Sequence, residues 1–349
     1  MLDEFIKRLP KNIDGALIVS PENRRYFTSF DASDGFLFAT KNGSVFLTDS
    51  RYIEAAKDKI NCCDVEEQKG KLTDYAKRFN CKTLAVEADR LTVTQLKNLR
   101  KALHGIKLTT VGTDKIIDSF RAVKSDEEIE NICKAQRIVE AALKHILGFI
   151  KIGVTEKEIA LELDHYMLSH GAEALSFETI AISGANTSKP HGVPTEKKIE
   201  DGDFVTMDYG AVVNGYHSDM TRTVAVGHVS DEQKKIYDIV LKAQLASLEI
   251  LRSGLKCSDG DKAARDVITE AGYGEFFRHS TGHGVGIEIH EKPNLSPKSV
   301  ATLRMGNIVT VEPGIYIPGK FGVRIEDMAL ITENGCQNLT NAAKELVIL

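Results

Sequence analysis

Tryptophan is missing altogether from this 349-residue chain, and cysteine is sparse and scattered. Cys62, Cys63, Cys81, Cys133, Cys257 and Cys336 form no Cys-X-X-Cys pair. They therefore indicate neither a zinc knuckle nor a disulfide frame, and read as reduced thiols of a cytosolic protein. A block of lysine and arginine is also lacking, and the formal net charge is −5, which excludes nucleic acid and anionic membranes as main partners. No run approaches the ~18 apolar residues of a transmembrane helix. The first ten residues are acidic without a long apolar stretch, so they do not read as a signal peptide. A cytoplasmic location is the expectation.

What remains is the composition of an ordinary globular protein, too long for one hydrophobic core, so two domains are expected. The first part alternates short apolar runs with helical stretches. Segments 16–19, 35–39, 44–48 and 83–86 read as strands, with Asn42-Gly43 as a hairpin turn between two of them. Segments 51–59 and 92–103 have helix composition. A boundary falls near 120–124, giving an α/β domain over 1–122 and a second domain over 123–349. Ser125-Asp-Glu-Glu128 is a capping box with acids filling the first turn. Ile129, Ile132, Cys133, Gln136, Val139, Leu143 and Ile146 then recur at helical spacing. Further helices fit 155–169, 231–251 and 258–271.

An internal repeat lies between and after these helices. Gly202-Asp-Phe-Val-Thr-Met-Asp-Tyr-Gly210 aligns without gaps on Gly306-Asn-Ile-Val-Thr-Val-Glu-Pro-Gly314, setting Asp208 against Glu312. Each copy is followed by a second acid, Asp219 and Glu326. Chance similarity between two hairpins is one account. The other is a pseudo-symmetric domain with a site between its halves.

Asn214-Gly215 is a strong two-residue hairpin signal. If it forms, Val213 faces Tyr216, Gly210 faces Asp219, and Asp208 lies diagonally from Asp219 on the same face, within reach of one shared point. Like charges aimed at one spot need a cation to neutralise them. Glu312 ends a strand in the other copy, and Arg324 and Glu326 share a face of the next. Four carboxylates alone would suit Mg²⁺ or Ca²⁺. An added imidazole shifts the choice toward Mn²⁺, Zn²⁺, Co²⁺ or Fe²⁺. Segment 279–290 offers three, His279, His283 and His290, among glycines at 282, 284 and 286 that allow close backbone approach to a ligand. Any one histidine is more often structural than ligating.

His279, the Thr-Gly-His-Gly-Val-Gly run at 281–286, His290, Glu-Pro-Gly at 312–314, the Asp208/Asp219 pair and Val-Arg-Ile-Glu-Asp at 323–327 resemble the creatinase/aminopeptidase P/prolidase group. The match runs from about residue 125 to the end and is collinear. The first domain is similar to the N-terminal domain of the aminopeptidase P and prolidase branch. The fold this implies is mixed α/β (α+β), a creatinase-like α/β domain followed by a pseudo-symmetric pita-bread catalytic domain. The resemblance implies two divalent ions per chain, Mn²⁺ first with Co²⁺, Zn²⁺ or Fe²⁺ as alternatives. Asp208 would hold one ion, Asp219 and Glu326 would bridge both, and His283 and Glu312 would complete the other. Such ions share a hydroxide, and Glu312 would carry its proton to the leaving nitrogen.

His290 resembles the histidine that bonds the scissile carbonyl or its oxyanion, and His191 the one beside the cut. His279 and Arg324 resemble the pair lining the proline pocket, and Tyr316 a tyrosine near the metals. Arg324 could grip a substrate carboxylate in bidentate fashion, or serve as a buried partner for Glu326 or Asp327. Expected substrates are short proline-containing peptides. The reading taken first is an Xaa-Pro aminopeptidase, with an Xaa-Pro dipeptidase (prolidase) as the alternative. A creatinase-like enzyme or a metal-free binding protein fits less well, because all five ligand positions are filled. The resemblance also implies a homodimer, in which any contact that relatives make through tryptophan is absent or replaced.

Overall fold

The computed structural model describes residues 1–349, which divide into two compact units, Met1–Arg121 and Ala122–Leu349. The first unit is built on β1 (Gly15–Ile18), β2 (Phe36–Thr40), β3 (Gly43–Thr48), β4 (Asp64–Glu67), β5 (Thr83–Val86) and β6 (Lys107–Thr109). They form one sheet in the order β4-β3-β2-β1-β5-β6, parallel except where β2 runs against β1 and β3. The β2–β3 turn is Lys41-Asn42 rather than Asn42-Gly43, because Gly43 already pairs with Thr40. β1 and residues Leu84–Val86 of β5 are unbroken apolar runs, as central strands covered on both faces must be.

The second unit opens each of its halves with a helix pair, Asp126–Phe149 and Glu156–Ser169, then Asp231–Ile250 and Cys257–Glu270. Three of the four begin with a capping box, Ser125/Glu128, Thr155/Glu158 and Ser230/Gln233, each satisfying two end amides that the helix leaves open. The strands are β7 (Ala174–Leu175), β8 (Ile180–Ser183), β9 (Phe204–Tyr209), β10 (Ala211–Val213), β11 (Tyr216–His217) and β12 (Met220–Ala225) in the first half. The second half holds β13 (Gly282–Gly284), β14 (Glu291–Leu295), β15 (Ile308–Val311), β16 (Gly314–Ile317), β17 (Phe321–Arg324), β18 (Asp327–Ile331) and β19 (Cys336–Asn338). β8-β9-β12 form one antiparallel sheet and β14-β13-β15-β18-β19 another. Ile132, Val139, Leu143 and Ile146 of the first helix are buried at the expected helical spacing, while Ile129 and Cys133 are only partly covered. No helix is long and apolar enough to cross a membrane.

Candidate metal centre

Two hairpins place the acids. The first turns at Asn214-Gly215, with φ of 50° and 82°, the mirror-image turn whose twist suits a tight hairpin. Val213 pairs with Tyr216, and Asp208 pairs with Thr221. The same register sets Gly210 against Asp219, so Asp208 and Asp219 are diagonal neighbours on one face. The second turn, Pro318-Gly319-Lys320, is one residue longer, joining Ile317 to Phe321. Val311 pairs with Asp327 and Gly314 with Arg324, so between them Glu312 and Glu326 fall directly opposite each other. The duplication is therefore imperfect. By register the counterpart of Glu326 is Thr221, and Arg324 occupies the place of Asp219.

Around this frame the side chains converge. Asp219, His283 and Glu326 each bring one ligand atom within 4.8 Å of the others. His283 Nε2 lies 3.5 Å from Asp219 Oδ2 and 3.5 Å from Glu312 Oε1. The Nδ1 of the same ring is 3.1 Å from Gly284 O, which fixes the proton there and turns a lone pair on Nε2 toward the acids. Thr221 Oγ1 donates to Glu326 Oε2 at 2.7 Å, and Thr310 Oγ1 to Glu312 Oε1 at 3.3 Å. Asp208 Oδ2 receives Arg324 Nη2 at 2.7 Å, while its Oδ1 is buried with no hydrogen-bond partner. A buried, unpartnered carboxylate oxygen beside three more acids fits a cation ligand.

The electrostatics agree. Burial, with the Glu326 charge next, raises the Asp219 carboxyl well above its ordinary range. Burial, then Glu312, does the same to Glu326. Burial pushes Glu312 up to about 8, opposed by Arg324. Desolvation lowers His283 to about 4, helped by His290, so the imidazole is neutral at neutral pH and suited to ligation. Donor set, orphaned oxygen and like-charge crowding all fit divalent cations held by oxygen and imidazole nitrogen.

The remaining candidates gather nearby, with some revisions. The His290 ring centre lies 4.3 Å from that of His283, and the His290 side chain is exposed. His279 Nε2 is 3.0 Å from Tyr316 OH, and burial followed by the Arg324 charge lowers its pKa to about 4, with His191 also acting on it. Arg324 is not the partner of Glu326 or Asp327. Its Nη2 meets Asp208, Nη1 donates to Tyr316 OH and Pro190 O, and Nε donates to Thr221 Oγ1. With its fork turned onto the protein's own atoms, a bidentate grip on a substrate carboxylate would require releasing one of them. The glycines of 282–286 serve protein packing rather than ligand approach: a Cβ on Gly282 would stand 1.9 Å from Thr310 O. Sequence reasoning passed over Thr221, Thr310 and Arg222, and weighed Asp327 only as a partner for Arg324. Thr310 could have been found, since it matches Thr206 in the repeat.

Residues 130–333 match the model of metallopeptidase family M24. The chain belongs to that family. Residues 7–123 match the creatinase/prolidase N-terminal domain, so the M24 catalytic domain follows a creatinase-type unit. A structure described as an Xaa-Pro dipeptidase from Bacillus anthracis is 42% identical, with a TM-score of 0.96 and full coverage of both chains. An X-Pro aminopeptidase structure from Thermotoga maritima is 36% identical at a TM-score of 0.93, covering 100% of this chain and 99% of that one. The Xaa-Pro dipeptidase of Pyrococcus furiosus is 37% identical over 349 residues, 99% of each chain.

Proposed function

We propose that this M24 metallopeptidase is an Xaa-Pro dipeptidase of the cytoplasm, acting as a homodimer on dipeptides with proline in second place. The coarser statement rests on the family and its named members: the chain is a metallo-exopeptidase of the Xaa-Pro dipeptidase and aminopeptidase type. The observation that carries the finer reading is end-to-end similarity to named Xaa-Pro dipeptidases of Bacillus and Pyrococcus. It reverses the order expected from the sequence, in which the aminopeptidase came first. The Thermotoga structure is what favours that second reading.

Two ions, Mn²⁺ first among Mn²⁺, Co²⁺, Zn²⁺ and Fe²⁺, belong to the proposal, with Asp208, Asp219, His283, Glu312 and Glu326 as their holders. Such ions supply Lewis acidity and activate water for attack on a peptide carbonyl. The chain's own groups do the rest. Glu312 would take a proton from the attacking water and deliver it to the leaving nitrogen. His290, exposed beside His283, is available to the developing oxyanion. His279, Tyr316 and Arg324 form one hydrogen-bonded wall that would line the proline side, and His191 would meet the substrate backbone. A panel of Xaa-Pro and Xaa-Pro-Xaa peptides assayed under several metals tests the reading. Cleavage of the dipeptide alone supports it, cleavage of the tripeptide alone replaces it with the aminopeptidase, and no cleavage of either removes proline specificity.

A further inference from the structure

The imperfect duplication has a second product, one residue along from Thr221 and Glu326. By the same register Arg222 and Asp327 are counterparts, and they meet: Arg222 Nη2 lies 2.8 Å from Asp327 Oδ1. Both are buried, at 2% and 0% exposure. Every N–H of the guanidinium is used. Nη1 donates to Thr221 O at 2.9 Å and to Glu326 O at 2.6 Å. Nε reaches Ala343 O, and Nη2 reaches Ala342 O as well as Asp327. The Asp327 carboxylate is equally committed, its Oδ2 taking Gln244 Nε2 at 2.9 Å, Asn338 Nδ2 at 2.7 Å and Lys344 Nζ at 2.8 Å.

One guanidinium thus ties together the main chain of residues 221 and 326, which belong to different half-units. Glu326 carries one of the carboxylates proposed to hold the ions, and Thr221 both bonds that carboxylate and follows Asp219 by two residues. Glu326 N also donates to Thr221 O at 3.2 Å, so this is where the halves join beneath the site. Buried ion pairs are commonly no more stabilising than apolar packing of the same volume, which makes fold stability alone a weak reason for one here. A planar fork is suited to holding two carbonyls and a carboxylate at fixed spacing.

We infer that Arg222 and Asp327 are positioning residues whose pairing sets the separation of the Asp219 and Glu326 carboxylates and thereby the affinity of the site for divalent cations. This rests on the metal reading proposed above. Outer partners of metal ligands typically contribute about 10–100-fold in affinity.

The test is calorimetric titration of Mn²⁺ into the chelated full-length wild type, Asp327→Asn, Arg222→Lys and Lys344→Met, with thermal melts and steady-state kinetics on Xaa-Pro alongside. Asp327→Asn and Arg222→Lys should bind Mn²⁺ about 10–100-fold more weakly. At limiting Mn²⁺ their kcat should fall, while KM stays within about twofold at saturating Mn²⁺. Lys344→Met removes a donor to Asp327 but touches neither residue 221 nor 326, so it should lower the Tm and leave Mn²⁺ affinity unchanged. If Asp327→Asn gives no cooperative melt, Arg222→Lys decides, because lysine keeps the charge yet cannot reach both carbonyls and the carboxylate. Wild-type Mn²⁺ affinity in Arg222→Lys, with only a lower Tm, overturns the inference and leaves the pair purely structural. A wild type that takes up no Mn²⁺, Co²⁺ or Zn²⁺ overturns the underlying metal reading instead.

Discussion

Glu87 of the first unit and Glu326 of the second are both buried glutamates, at 0% and 1% exposure, in opposite circumstances. Glu87 accepts hydrogen bonds from Val19 N, Ser20 N, Ser20 Oγ and Asn23 Nδ2, so both of its oxygens are served. Glu326 has the Thr221 hydroxyl for its side chain and three other acids nearby. Its sequence neighbour Asp327 repeats the contrast within two residues, since successive side chains of extended backbone point to opposite faces. Asp327, with two cations and two amides, is held below the usual carboxylate range once those charges overcome its burial, whereas Glu326 is raised well above. A buried carboxylate supplied with donors is a finished piece of structure. One crowded by its own kind needs a proton or a cation.

The largest effect should come from removing a crowded acid. Asp219→Asn or Glu326→Gln should cut turnover by more than about 100-fold, beyond the range of an outer partner, with parallel loss of bound metal measured by elemental analysis. Near-normal metal content in both variants would erase the distinction drawn between Glu326 and Glu87.

Next in size is a pH effect. Folded Glu312 has its pKa raised from 4.5 to about 8, so the folded chain binds the proton more tightly than the unfolded one. Stability from that group is complete below 4.5 and lost as pH rises toward 8. Chelated protein should therefore melt progressively lower across that window, and saturating Mn²⁺ should flatten the slope. An unchanged slope with Mn²⁺ would mean that the cation does not take the proton's place.

For the finished carboxylate the expectation is reversed. Glu87→Ala leaves several donors unserved and should lower stability by about 3 kcal/mol in denaturant melts, with metal affinity and kcat/KM unchanged. The smallest effect belongs to Thr221→Val, which deprives Glu326 of its hydroxyl partner and should weaken Mn²⁺ binding by about 10-fold in calorimetry. A larger loss than in Glu326→Gln would show that Thr221 acts through Arg324 as well.

Much of this was legible from local chemistry. Capping boxes at Ser125, Thr155 and Ser230 and the Asn214-Gly215 turn act through bonds spanning a few residues, so the sequence alone specifies them. That turn also determines the register, and hence the diagonal placement of Asp208 and Asp219, because side chains alternate once pairing is set. Tertiary structure decided which partners meet across about a hundred residues. Arg324 went to Asp208 rather than to Glu326 or Asp327, Arg222 to Asp327, and Thr221 to Glu326. The repeat suggested that the second acids were equivalent, yet Glu326 stands five residues beyond Phe321, opposite Glu312, whereas Asp219 stands three beyond Tyr216, opposite Gly210. A hairpin controls its own pairing; where two hairpins join is set by packing between distant segments, which no short stretch of sequence encodes.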